Sequence, residues 1–328
     1  MRSLPSGRAA PSCAPADRIS FVATYRRHPN QRALASLPVE LRRTTVPTNV
    51  RVWVEHEARA RIVQVRRLRG ASSTAVHVLY LDGGMRLVLR RYVWPGFLKD
   101  EPVAPRRELD ALHFADAKAL PAPRVVSADV TGQEVGDGIP AVLMTFLPGL
   151  AIAVPDLLSL AEVAAAIHDA EPGKFGHDYF PWYAGTMSEP PRATRRPALW
   201  EEAIALRASA MPSYRPAFIH RDFHPGNVLW SRGRVCGVVD WANACRGPRG
   251  CDIAHCRANL VVLSGQGAAD TFLAAYERLT GEHYDFYWEL ASILEHSPEH
   301  WTAERLAESE PYLARAVEAV SGYRPKHL

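Results

Sequence analysis

The sequence predicts an α+β chain in two lobes, a small antiparallel sheet first and a larger helical lobe second. Three observations carry this. Strand-like, β-branched runs cluster between residues 62 and 146, segments of helical period dominate after Gly149, and Leu147-Pro148-Gly149 closes the last strand candidate abruptly. Strands and helices do not alternate as repeating units, which argues against a doubly wound parallel sheet. The 328 residues, 47% hydrophobic, suffice for one large core or two modest ones. Residues 1–46 read as a mobile Arg- and Pro-rich extension, 47–147 as the first lobe and 148–328 as the second.

Taken in order, a helix is expected from Pro47 to about Ala58, with proline near its start where a missing N–H costs nothing. Strands follow at 62–65, 76–81 and 85–93, the last two joined by the hairpin signal Asp82-Gly83-Gly84. A helix over 105–118 precedes strand candidates at 125–129 and 141–146. Beyond Gly149, the segments 156–169, 197–210, 268–279, 284–295 and 303–320 carry helical periodicity. Between the first two of these, 173–196 reads as a long loop rich in Pro, Gly, aromatics and Arg, a type of segment that often carries function.

Charge is uneven. The net value is +4, but residues 1–148 hold 22 Lys+Arg against 13 Asp+Glu, while 149–328 hold 17 against 22. A basic half suits phosphate groups and an acidic half suits a cationic substrate, although solvated surface charge accounts for both equally simply. The five cysteines lack paired Cys-x-x-Cys spacing, which favours reduced thiols in a cytoplasmic protein over a zinc site. No uninterrupted apolar span is long enough for a membrane helix, the N-terminus lacks the apolar core of a secretory signal, and no nucleic-acid module is recognisable. Neither membrane nor nucleic acid is therefore an expected partner.

The most informative stretch is Phe218-Ile219-His220-Arg221-Asp222-Phe223-His224-Pro225-Gly226-Asn227. Asn227 follows Asp222 by five residues, and a second carboxylate, Asp240, ends the apolar run Gly237-Val238-Val239. Phosphoryl transfer needs a base to orient an attacking hydroxyl, and Mg²⁺ held by hard oxygens. Asp222 suits the base; the amide oxygen of Asn227 and the carboxylate of Asp240 suit the metal.

These residues resemble the catalytic loop and metal-binding segment of the aminoglycoside phosphotransferase family, within the kinase-like superfamily. Gly250-Cys251-Asp252-Ile253-Ala254 resembles the segment that follows the metal site. The Phe223-His224-Pro225-Gly226 run is typical of the small-molecule branch, and no Ala-Pro-Glu segment of protein kinases is present. The resemblance implies a bilobal protein-kinase-like fold and transfer of the γ-phosphoryl of ATP or GTP, with Mg²⁺, onto a hydroxyl of a small molecule. It also implies that His220 and Asp252 support the loop without reacting. In such folds a turn between two strands covers the phosphates, here Gly70 to Thr74 with Ser72 and Ser73. A cation on the third strand pairs with a helix acid, here Arg90 with Glu108. Arg90 departs from the usual lysine. The hinge resembles Met144 to Gly149, so the Thr145 carbonyl and the Leu147 N–H are expected to read the base edge. His168 is expected in the core or at a helix end.

Acceptor candidates are Asp178, Trp182 and Tyr183 in the long loop, the acidic set Glu282, Asp285, Glu289 and Glu295, and Trp288 and Trp301 as stacking faces. An amino-bearing acceptor such as an aminoglycoside or macrolide suits that acidic set, with antibiotic resistance as one setting. A metabolic kinase of the choline, homoserine or sugar type, and a nucleotide-binding pseudokinase, stand as alternatives.

Overall fold

The computed structural model describes residues 44–68, 73–152, 154–181, 187–209, 211–295 and 301–322. Nearly all of the N-terminal extension, together with Ser72, Trp182 and Tyr183, lies outside these residues.

Helix α1 (Thr48–Ala58) starts directly after Pro47, buries Val50, Trp53 and Val54, and stops at Arg59 in a left-handed conformation. Five antiparallel strands follow: β1 (Ile62–Leu68), β2 (Ala75–Leu81), β3 (Arg86–Arg91), β4 (Val125–Asp129) and β5 (Ala141–Thr145). Their order is β1-β2-β3-β5-β4. Asp82–Gly84 forms the tight β2–β3 connection, where Gly83 and Gly84 take φ of 79° and 86°, a region glycine enters without steric cost.

Strand parity decides what each face of β3 does. Leu87 and Leu89 turn toward the cluster that includes Val50 and Val54 of α1. Val88, with Val142 and Met144 of β5, packs into the core shared with the helical half. Arg90 has the parity of Val88 and sits opposite Val76 and Val142. Helices α2 (Pro95–Asp100) and α3 (Ala104–Ala117) lie between β3 and β4 in sequence, α3 bringing Glu108 to Arg90.

The second half contains α4 (Leu157–Asp169), α5 (Pro197–Ala208), α6 (Arg249–Ser264), α7 (Gln266–Thr280), α8 (Tyr287–Leu294) and α9 (Ala303–Gly322). Asp156 caps α4 by accepting the Ser159 N–H at 2.8 Å. Two short antiparallel pairs, β6 (Ala217–Ile219) with β9 (Cys245–Gly247) and β7 (Val228–Ser231) with β8 (Arg234–Val238), flank the segment 220–227. One apolar cluster joins Tyr92, Val142 and Met144 to Phe218, Trp241, Ile253 and Phe272, so the two halves share a core. Fully burying each large side chain there contributes about 1.5–3 kcal/mol.

Helix α6 has no counterpart in the periodicity, because it is enclosed on nearly every side. Asp252, His255, Arg257 and Asn259 are buried along with Ile253, Cys256 and Leu260, so no single apolar stripe marks it. Cys245, Cys251 and Cys256 are buried free thiols, and burial pushes the Cys245 thiol up to about 12.

Candidate active site

The site is built on one buried carboxylate. Asp252, in the first turn of α6, accepts the backbone N–H groups of His220 at 2.8 Å and Arg221 at 2.6 Å, and the Nε2–H of His168 at 3.1 Å. A carboxylate only accepts, so Nε2 of His168 carries a proton, while its Nδ1 lies 2.7 Å from the Tyr276 hydroxyl. Burial works to raise the Asp252 pKa, but the hydrogen bonds from His168 and from the His220 backbone outweigh it and hold the carboxyl below its usual value. Arg221 adopts a φ of 68° at this reversal. Its guanidinium reaches Glu295 Oε2 at 2.6 Å and lies 5.0 Å over the Tyr179 ring, whose hydroxyl donates to Glu295 Oε1 at 2.9 Å.

From this braced loop the predicted site residues come together. His224 Nδ1 accepts the Gly226 N–H at 3.0 Å, and the turn Pro225–Asn227 returns Asn227 to the loop. Asn227 Nδ2 donates to the Asp222 carbonyl at 2.9 Å and lies 3.4 Å from Asp222 Oδ2. The amide nitrogen is thus committed, leaving Oδ1 as the atom that can face a cation. The Asn227 carbonyl accepts from Val239 N–H at 2.9 Å, and His220 Nε2–H donates to the Val239 carbonyl at 3.0 Å. His220 Nδ1 accepts the Asp222 N–H at 3.3 Å, which requires a neutral ring. Burial lowers the His220 pKa despite the opposing charges of Asp252, Asp222 and Asp240. Asp240 follows directly, at φ 70°, a left-handed conformation that aspartate tolerates better than most residues.

The sheet supplies the other side. Arg90 donates to Glu108 Oε1 at 2.5 Å, to Asp240 Oδ1 at 2.7 Å and to Thr74 Oγ1 at 3.1 Å. Tyr92 donates to the second oxygen of Glu108 at 2.7 Å. Burial disfavours the Arg90 charge, but Asp240 and Glu108 overcome this and raise its pKa well above the ordinary value. A carboxylate and an amide oxygen are hard ligands of the kind Mg²⁺ takes, and the guanidinium beside them is of the kind that binds phosphate oxygens.

Sequence reasoning overlooked His255. Its Nε2 lies 3.1 Å from Asp222 Oδ1, with both residues buried. Ring nitrogens of His224 and His255 and an oxygen of Asp222 fall within 4.8 Å of one another. The only signal was position, one helical turn after Asp252 in a segment without periodicity.

Other expected residues land variously. Ser73 is half-buried just before β2, and Thr145 ends β5, exchanging bonds of 2.9 Å with the Arg124 backbone through its N–H and Oγ1. Leu147 packs against Gly237, where an added Cβ would come within 2.5 Å of Leu147 Cδ1. Asp178 is exposed and bonds Arg246 at 2.8 Å. Glu289 and Glu295, read as acceptor-facing carboxylates, are each 1% exposed and committed to arginines, Glu289 to Arg257 at 2.5 Å and Glu295 to Arg221. Trp288 and Trp301 are core residues with no free stacking face. Glu282 bonds Arg249 and Asp285 caps the Tyr287 N–H. Of the four acidic candidates, Glu289 and Glu295 are thus buried in ion pairs, and Glu282 and Asp285 are bonded at the surface.

Residues 64–290 match the phosphotransferase enzyme family. The chain belongs to that family. This family member is 30% identical over 155 residues to the homoserine kinase of Gluconacetobacter diazotrophicus, a stretch covering 42% of the chain and 48% of that relative, so it spans about half the relative's length. In fold it is similar to aminoglycoside phosphotransferase APH(4)-Ia, with a TM-score of 0.56 and 19% identity over 85% of this chain and 99% of that one. It is also similar to macrolide 2'-phosphotransferase MphH from Brachybacterium faecium, with a TM-score of 0.52 and 18% identity over 84% and 99%. The fold is thus α+β and kinase-like, as the motifs implied.

Proposed function

We propose that this phosphotransferase moves the γ-phosphoryl group of ATP or GTP onto a hydroxyl of a small molecule, with Asp222 as base. The observation that carries the reading is the bonded chain Asp222–Asn227–Val239–His220, which ends beside Asp240 and is joined through Arg90 to the sheet. Asp222 would orient the acceptor hydroxyl and take its proton, while Arg90 would hold phosphate oxygens. Asn227 and Asp240 would hold Mg²⁺, which when bound neutralises charge on the β- and γ-phosphates. The intact set of Asp222, Asn227 and Asp240 favours an active enzyme over a pseudokinase.

The acceptor is approached from the relatives. Solved relatives include a complex of APH(4)-Ia with AMP-PNP and hygromycin B, and the sequence relative is a homoserine kinase. The decisive experiment measures Mg²⁺-dependent ADP release from ATP, and GDP release from GTP, with aminoglycosides, macrolides, homoserine, choline and sugars as acceptors. Asp222→Asn is expected to lower turnover by about 10²- to 10⁴-fold with folding intact. Turnover equal to wild type in that variant would defeat the assignment of the base.

A further inference from the structure

We infer that His255 is a positioning residue for this phosphotransferase, holding the carboxylate of Asp222 in its reactive orientation. The inference rests on the reading of Asp222 as base and adds a residue to it.

Helix α6 presents Asp252 and His255 three positions apart, and residues so spaced share a helix face. Asp252 fixes the catalytic loop by its backbone, through His220 N–H and Arg221 N–H. His255 meets the side chain of the same loop, with Nε2 3.1 Å from Asp222 Oδ1. One face of one helix therefore sets both the path of the loop and the direction of the base. The other oxygen, Oδ2, lies 3.4 Å from Asn227 Nδ2. With Oδ1 facing His255 and Oδ2 facing Asn227, the plane of the carboxylate is set from two sides. The 3.1 Å contact falls outside regular hydrogen-bond alignment, as catalytic contacts often do before substrate binds.

A metal triad of Asp222, His224 and His255 is the competing use of the same atoms. His224 argues against it. Its Nδ1 accepts the Gly226 N–H, so a neutral ring has its proton on Nε2. Coordination through either nitrogen would give up that bond and loosen the turn that presents Asn227. His255 as a donor to Asp222 leaves the bond between His224 and Gly226 in place.

The test compares His255→Phe, which keeps the ring volume and removes the donor, with His255→Gln, which replaces an N–H near Nε2. The readout is steady-state Mg²⁺-dependent ATP hydrolysis, with water as the acceptor. The expected result is a fall in kcat of about 10- to 100-fold for His255→Phe, an unchanged KM for ATP, and recovery of most of kcat in His255→Gln. Retention of kcat within about twofold in His255→Phe, or an equal fall in His255→Gln, overturns the inference, since packing alone predicts rescue by phenylalanine. Should His255→Phe fail to fold, long-range ¹⁵N spectra of the intact protein decide the matter. The Nε2–H tautomer of His255 supports the inference and the Nδ1–H tautomer overturns it. Wild-type hydrolysis in Asp222→Asn would instead remove the base assignment itself, and the ¹⁵N result would still report on the His255 contact.

Discussion

Arg90 on β3 bonds Asp240 at 2.7 Å across 150 positions of sequence, while its other terminal nitrogen holds Glu108 at 2.5 Å. The guanidinium therefore ties the sheet and its helix to the segment that carries Asp240. A lysine has no planar fork with which to span two carboxylates in this way. This gives a physical account of arginine at a position where the family resemblance leads one to expect lysine.

Removing that bridge should be costly. Arg90→Met leaves Glu108 buried without its cation, and loss of one partner from a buried pair costs about 3–5 kcal/mol. Chemical denaturation should register that loss, and the KM for ATP should rise. Arg90→Lys keeps the charge and one contact, so its loss should be smaller. Equal stability in the wild type and Arg90→Met would show that the ion pairs are not formed in solution.

Acid should weaken the fold through His220. Its folded pKa lies below the value of about 6.5 expected in an unfolded chain. Between those values the unfolded state binds more protons, so stability is complete above about pH 6.5 and declines as the pH falls toward the folded value. His220→Gln, which retains a donor toward the Val239 carbonyl, should show a shallower decline between pH 7 and 5 in denaturation midpoints. Matching slopes would exclude His220 as the group responsible.

Gly250 sits where α6 crosses Trp288. A Cβ there would lie 2.1 Å from Trp288 Cδ1, inside the face of a buried ring that cannot swing away cheaply. Gly250→Ala should destabilise the protein by about 1–3 kcal/mol, measurable as a lowered Tm. A Tm equal to wild type would mean that the helix shifts freely at this point.

The five strands of the first half were legible because each is a short apolar run bounded by turn residues, and 125–129 was read to the residue, whereas the three-residue pair 217–219 and 245–247 is too short to carry a pattern. Helices 48–58 and 104–117 were legible from proline near their starts and from periodicity. The 249–264 helix was not, since a helix enclosed on nearly every side carries no clear amphipathic signal. The spacing of Asp222, Asn227 and Asp240 was readable because a tight loop and a short hairpin bring them together locally.

Glu289, Glu295 and His255 were beyond such reading. Acidic residues near a chain end look alike in sequence, whether they face solvent, a substrate or a buried arginine. Glu295 meets Arg221 across 74 positions and Glu289 meets Arg257 across 32. By itself the sequence determined which residues form the candidate loop, because local spacing is enough to define one. Tertiary structure alone decided which charges remain available, because that depends on which helices pack together, and the pairing energy of a buried charge exists only once water has been excluded.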